Sequence, residues 1–489
     1  MFMRMIYDEK LAQAAYLIGC QRTGEAIVID PERDVDRYIR LAAANGLRIT
    51  AVAETHIHAD FVSGARELAE ATGAKVYISD EGGPEWRSEW LDARVAGGSY
   101  LHQRLRDGDT FSIGLIEFRV MHTPGHTPEH IAFLVTDRGA GASEPMGIAS
   151  GDFIFVGDLG RPDLLESAAG QIGAMEPSAR RLFATVSKLS FIPDFVQVWP
   201  AHGAGSACGK ALGAVPTSTI GYERRYNPAI RAASSEREFV DFILRDQPEP
   251  PLYFANMKRL NRVGPPVLGQ LLAPPRVSVS DLKNLDATRV AIVDTRPWEE
   301  FSHGHVRGSL SFPLSNSFNT DAGSMIGADE DIYLVIDPER LEEAFRDLIR
   351  VGLDRIRGWC PSSELNAAAS DPKADLATIR EINAKAAAEE LAAGRVNVLD
   401  VRRASEFSGG HAPGAMNIAH TRLAGRLNEV PRDKPLVVGC RSGARSARAA
   451  ALLQRAGLEV MNLTGGIMAW ERARAPIVRE SAPGSEVLL

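Results

Sequence analysis

Apolar residues recur along the chain in short runs, each bounded by polar, glycine-bearing sequence, the pattern of buried or half-buried strands. In the first half these are Ile49 to Ala53, Phe118 to Met121, Ile131 to Val135, Phe153 to Val156 and Phe195 to Val198. Four of them run within a few residues into His or Asp, and the fifth is preceded by His126. Polar side chains gathered at strand ends make a site. In the second half, Val290 to Val293, Tyr333 to Ile336, Val396 to Leu399 and Pro435 to Gly439 lead through polar sequence into helical stretches, which predicts parallel α/β units.

Proline-rich stretches interrupt this pattern. One runs from Pro248 to Pro275, and the other is Ser370-Asp371-Pro372-Lys373. The expected division is a first unit over 1–245, a Pro-rich linker over 246–269, and further units over 270–370 and 374–489. Leu252, Tyr253, Phe254 and Met257 predict that the linker packs against the first unit. The last two units repeat one another: Asp294-Thr295-Arg296, Glu300-Phe301, Gly304-His305 and Gly308 recur without a gap, 106 residues on, from Asp400-Val401-Arg402 to Gly414 (294 to 400, 308 to 414).

The length of 489 residues exceeds one core and fits roughly three domains. A net charge of −8 with no Lys/Arg block argues against a nucleic-acid surface. No stretch approaches the roughly 18 apolar residues of a spanning helix, and Asp8, Glu9 and Lys10 fall where a signal peptide is apolar. The expectation is a cytoplasmic protein with small-molecule partners, no membrane, and a homo-oligomer as the default assembly. Cys20, Cys208, Cys360 and Cys440 lie far apart, so individually placed thiols are expected in place of disulfides or a zinc knuckle.

Four motifs follow the early strands: His56-Ile57-His58-Ala59-Asp60, Thr123-Pro124-Gly125-His126-Thr127-Pro128, Gly157-Asp158 and Pro200-Ala201-His202. In this order they resemble the metallo-β-lactamase superfamily over roughly residues 5 to 230. The resemblance implies an αββα fold followed by two α/β domains. Its hydrolases commonly hold two metals, the second drawing on Asp60, a His directly after it, and His202. Phe61 stands there instead, which disfavours a two-metal site. What remains resembles the persulfide dioxygenase branch, which implies one Fe(2+) per chain held by His56, His126 and Asp158. Two imidazoles and a carboxylate leave about three positions for persulfide and dioxygen, an arrangement suited to redox-active iron. His58, Asp60 and His202 are then expected to orient those ligands or bind water, or to be structural remnants of a two-metal ancestor. His122 and His130 are expected to be structural.

Val156 to Asp163 and Gly205 to Lys210 resemble bacterial fusions of such an enzyme to rhodanese domains. Arg161 and Asp163 are expected to pair near the metal. Cys208 is a candidate sulfur acceptor near the site mouth or a buried filler. Lys210, Arg224 and Arg225 are candidate contacts for a carboxylate-bearing thiol such as glutathione, with solvated surface charge as the alternative.

In the last unit a strand runs into Cys440-Arg441-Ser442-Gly443-Ala444-Arg445-Ser446 and then an Ala-rich helix. Backbone N–H groups and the helix dipole at such a loop stabilise a sulfur anion, and Arg441 and Arg445 add charge. With Asp400-Val401-Arg402 upstream and Thr464-Gly465-Gly466 downstream, residues 376 to 475 resemble a rhodanese domain. The C-x4-R spacing is one residue short of a phosphatase loop. The middle unit shares the frame but places Asp337 where the Cys belongs, so it is expected to be catalytically silent. Cys20 and Cys360 are expected to be fillers.

Together these features imply oxidation of a thiol persulfide to sulfite with dioxygen, coupled to sulfur transfer by Cys440 that yields thiosulfate. The alternatives are a thioester hydrolase of the glyoxalase II kind with accessory sulfurtransferase domains, and a non-catalytic sulfur carrier or sensor.

Overall fold

The computed structural model describes residues 1–168, 170–371 and 373–479. Pro372 of the second expected break, and residues 480–489 of the last expected unit, lie outside the described residues. The chain forms two compact units. The first is Met1–Leu271 with Ile349–Gly352, and the second is Leu272–Leu348 with the chain from Leu353 onward.

The first unit is built on two six-stranded sheets. One is ordered along the chain as Phe2–Asp8, Gln13–Cys20, Glu25–Ile29, Arg48–Ala53, Lys75–Ser79 and His102–Leu105. The other runs, in spatial order, Ser218–Thr219, Gln197–Pro200, Gly147–Gly151, Ile131–Asp137, Ile116–His122 and Thr110–Ile113. Alternation along a strand sends successive side chains to opposite faces. In Gln13–Cys20, Tyr16 and Ile18 meet Phe118, Phe133 and Trp199 between the sheets, while Ala15 and Leu17 pack outward on Tyr38, Ala42 and Leu68 of the helices Asp36–Ala44 and Ala65–Thr72. The outer face of the second sheet is covered by Met175–Val186 and Glu236–Leu244 through Leu182, Val186, Phe239 and Ile243. This is the expected αββα order of layers.

One expected strand is not a strand, and the difference moves the site. The run Phe153 to Val156 is a loop whose Phe153, Ile154 and Phe155 are fully buried. The strand is Gly147–Gly151, paired antiparallel with Ile131–Asp137 and parallel with Gln197–Pro200. Its residues Gly147-Ile148-Ala149-Ser150-Gly151 are too small to stand out as an apolar run. Gly147 has to be small, because a Cβ there would lie 2.2 Å from the Trp199 ring. The stretch expected as a linker contains the helix Phe254–Val263, with Phe254 and Met257 buried, and falls inside the first unit.

The second unit holds two parallel sheets, one for each sequence repeat, of four and five strands. The repeated residues form the same buried frame twice. Arg296 grips Asp294 (2.6 Å) and donates to the Gly304 carbonyl (2.8 Å), and Arg402 grips Asp400 (2.6 Å) and donates to the Gly410 carbonyl (2.7 Å). Phe301 stacks on His305 and Phe407 on His411 at 3.9 and 3.7 Å between ring centroids. The repeat signature is therefore scaffold, present whether or not the copy carries a thiol. Removing one partner of such a pair leaves a buried charge without compensation. Arg402→Met is expected to destabilise the second unit by about 3–5 kcal/mol in urea unfolding. A loss below about 1 kcal/mol would contradict that role.

Candidate functional site

The centre of the first unit lies at the ends of Arg48–Ala53, Ile116–His122, Gly147–Gly151 and Gln197–Pro200, whose following loops deliver His56, His126, Asp152 and His202. His56, His126 and Asp152 are buried, and their ligating atoms lie within 4.8 Å of one another. The surrounding hydrogen bonds assign the ring protons. The Thr55 hydroxyl donates to Asp30 (2.8 Å), which leaves it only an acceptor for His56 Nδ1–H (2.9 Å). His126 Nδ1–H donates to the Arg161 carbonyl (3.0 Å), and His202 Nδ1–H to that of Ala12 (3.1 Å). Each ring is thus held through Nδ1, with Nε2 as the atom left to face the centre. Burial, followed by the nearby His58 for His56 and Lys258 for His126, holds both pKa values well below that of ordinary histidine, so neither ring is charged.

Asp152 closes the set. Its Oδ2 lies 3.5 Å from His126 Nε2 and its Oδ1 3.4 Å from His202 Nε2, and neither oxygen has a hydrogen-bond partner among the described residues. Burial pushes its pKa up to about 6, with His202 pulling it down and Asp60 pushing it up. A buried carboxylate left bare in this way calls for a cation. The donor set of two neutral imidazoles and a carboxylate fits a divalent transition metal. The backbone around it is constrained: Gly151 has φ +52°, and a Cβ at Gly160 would meet the Asp152 carbonyl at 1.7 Å. The Asp152 N–H donates to His130 Nε2 (2.9 Å), so His130 is the structural residue it was expected to be.

Two further groups adjoin this one. His58 Nε2 lies 3.2 Å from both Asp30 and Glu54. Burial opposes its charge, but Asp30 and Glu54 overcome it and hold the pKa well above that of ordinary histidine, and the ligating atoms of these three residues cluster within 4.8 Å. On the other side of Asp152, the ligating atoms of Asp60, His202 and Cys208 also cluster within 4.8 Å.

In the second unit, Cys440 directly follows the strand Leu436–Gly439, and the helix Ala444–Arg455 begins four residues later. Its sulfur accepts from Gly443 N–H (3.1 Å) and faces the Ser446 hydroxyl (3.5 Å), which Asn462 orients (2.7 Å). Gly466 brings the next loop close, since a Cβ there would lie 2.3 Å from the Cys440 carbonyl. In the other repeat Asp337 occupies the loop, and its carboxylate accepts from Glu339 N–H as a helix cap.

The description "Metallo-beta-lactamase superfamily" matches residues 9–186, and "Rhodanese-like domain" matches 278–350 and 383–473. A probable metallo-hydrolase of Burkholderia pseudomallei (strain 1710b) is 30% identical over 254 residues, 48% of this chain and 82% of that protein. A hydroxyacylglutathione hydrolase of Rhodospirillum rubrum is 34% identical over 45% of this chain and 83% of its own length. The crystal structure of a metallo-beta-lactamase from Staphylococcus aureus subsp. aureus COL is 40% identical with TM-score 0.65, over 74% of this chain and 99% of that one. The chain belongs to the metallo-β-lactamase superfamily. It carries two rhodanese-like domains after the metallo-β-lactamase domain.

Within the metallo-β-lactamase domain the structure brings His56 and His126 together as expected and corrects the carboxylate. Asp158 is engaged elsewhere: its Oδ1 accepts from Leu159 N–H (2.9 Å) and its Oδ2 from those of Lys210 and Ala211 (3.0 Å each), which ties two loops together. Asp152, missed from sequence, is the carboxylate beside the histidines. Arg161 and Asp163 form a buried bidentate pair (2.8 and 2.6 Å), through which the Arg161 carbonyl is set for His126. Cys208 is buried, not at a mouth, and burial pushes its thiol pKa well up. The contacts expected for a substrate carboxylate are not gathered: Lys210 donates to the Phe242 and Arg245 carbonyls, Arg224 pairs with Asp194 (2.8 Å), and Arg225 is exposed. Lys258, also missed, is buried beside His126 and Asp152. In the rhodanese-like domain that carries Cys440, Arg441 is exposed, while Arg445 is tied to Glu406 by two 2.7 Å bonds that neutralise it. Cys20 and Cys360 are buried.

Three substitutions test this geometry by metal analysis. Asp152→Ala is expected to lose the metal, whereas Asp158→Ala keeps it and loses stability. Thr55→Val, which frees the His56 ring, is expected to weaken metal affinity roughly 10- to 100-fold.

Proposed function

We propose that the metallo-β-lactamase domain oxidises the terminal sulfur of a low-molecular-weight thiol persulfide, and that Cys440 transfers sulfane sulfur. In the first reaction a persulfide, dioxygen and water give the thiol, sulfite and two protons. In the second, a persulfide on Cys440 passes its outer sulfur to sulfite, giving thiosulfate and the free thiolate. The observation that carries this reading is the withdrawal of His58 into its pair with Asp30 and Glu54. Two histidines and Asp152 remain, a set that leaves positions for both sulfur and dioxygen. An iron(II) ion held there supplies the activation of dioxygen that zinc does not.

The chain's own groups do the rest. Asp152 supplies the negative charge, Thr55 and the Arg161 carbonyl keep the two rings in the ligating tautomer, and Nε2 of His202, between Asp60 and Asp152, can hold water or accept a proton. At Cys440 the Gly443 N–H and the positive end of a 12-residue helix stabilise a thiolate or persulfide anion. The silent rhodanese domain serves as scaffold: Asp321, buried in it, pairs with Arg448 on the helix that follows Cys440.

A hydrolase of glutathione thioesters is the second reading. It is favoured by the Asp60, His202 and Cys208 group, which offers a thiol where Phe61 offers nothing, and by the names of relatives such as the Rhodospirillum hydrolase. Metal analysis with oxygen uptake on a panel of thiol persulfides separates the two. One iron per chain and oxygen consumption abolished by zinc replacement are expected, and two zinc ions with thioester cleavage would overturn the proposal. Cys440→Ser is expected to leave oxygen uptake intact and abolish thiosulfate formation, measured on the same samples.

A further inference from the structure

The helix Phe254–Val263 presents Ala255, Lys258, Arg259 and Arg262, spaced i, i+3, i+4 and i+7, to a cleft of about 230 Å³ that Ile57, Trp86, Glu85 and Gln171 complete. One end of the cleft adjoins His56: Ile57 and Trp86 also line a small neighbouring cavity together with His56 and Glu129. Lys258 stands at that end. It is 7% exposed, its ammonium has no hydrogen-bond partner among the described residues, and it lies 5.2 Å from the centroid of the Trp86 ring. Its main charged neighbour is the buried Glu129, beyond ion-pair distance, and it is also close enough to Asp152 and His126 for charge to act between them. Burying an ammonium with no acceptor is costly, and a nearby ring face offsets only part of that cost. The ammonium thus still lacks a hydrogen-bond acceptor among the described residues, and toward solvent the cleft adds Arg259 and Arg262, the latter loosely paired with Glu89 (3.5 Å) and donating to the Glu85 carbonyl (3.2 Å).

We infer that this cleft is the substrate seat, in which Lys258 receives the anionic terminal sulfur of a thiol persulfide while Arg259 and Arg262 receive carboxylates on its carrier. The assignment rests on the proposed persulfide reaction. It also replaces the cationic set Lys210, Arg224 and Arg225 that sequence suggested. The apolar walls Ile57 and Trp86 suit the methylene and sulfur atoms between the two charged ends.

Calorimetric titration of the full-length metal-loaded protein with glutathione S-sulfonate, a stable thiol derivative with an anionic terminus, tests the assignment against plain glutathione. Wild type is expected to bind the sulfonate at least about tenfold more tightly. Lys258→Gln should weaken the sulfonate roughly ten- to a hundredfold, the worth of a charge-assisted hydrogen bond, and leave glutathione nearly unchanged. Arg259→Gln with Arg262→Gln should weaken both ligands alike, and Lys258→Arg should retain most of the preference. Equal binding of the two ligands by wild type would overturn the proposal without recourse to any variant, as would undiminished sulfonate binding by folded Lys258→Gln. Oxygen uptake distinguishes the two levels of inference. Tight, Lys258-dependent sulfonate binding without persulfide oxidation would sink the oxidative reading and leave the anion seat standing. Oxidation with unchanged KM in Lys258→Gln would sink the seat alone.

Discussion

Asp152 is buried with both carboxylate oxygens bare of hydrogen bonds, and the arrangement of the first unit depends on that unmet charge. Such a group is stable in an apolar interior only when a cation sits beside it. The neighbouring side chains are prepared for one: His56, His126 and His202 are each pinned at Nδ1, so the remaining nitrogen of every ring faces the same small volume. None of the three is held by chance packing. Each partner is a backbone carbonyl or a hydroxyl already committed elsewhere, and that commitment decides where the ring proton lies.

A second layer of charge surrounds the histidines. Asp30 accepts from Thr55, which orients His56, and at the same time faces His58. One carboxylate therefore orients the first histidine of the motif through Thr55 and faces the second directly. Lys258 adds a positive charge near the carboxylates of Glu129 and Asp152. The same economy appears in the second unit. A shared buried frame of Asp, Arg, Phe and His holds both rhodanese-like domains, and their chemistry differs by the residue at the head of one loop, Cys440 or Asp337.

Much of this was legible in the chain. The gapless repeat follows from a constant offset and the Cys440 loop from residues that are neighbours in sequence, while the αββα layers and the choice of His56 and His126 follow from the resemblance that short motifs carry. The carboxylate was not legible. The chain contains Gly151-Asp152 and Gly157-Asp158, and the large apolar residues Phe153 to Val156 make the second pair look like the one that ends a strand. The real strand is made of small residues because Trp199 crowds it, a long-range contact that no local pattern reports.

Sequence by itself determined the architecture, the division of labour between a metal-binding domain and a thiol-bearing one, and the loss of the thiol from the middle copy, because each is written in residue type and spacing. Tertiary structure alone decided which aspartate faces the histidines, that His58 is withdrawn, that Cys208 joins Asp60 and His202, and that Lys258 from a proline-flanked helix borders the centre. These depend on groups far apart in the chain meeting where water is excluded. Only there do burial and neighbouring charge determine which groups carry a proton and which are free to ligate.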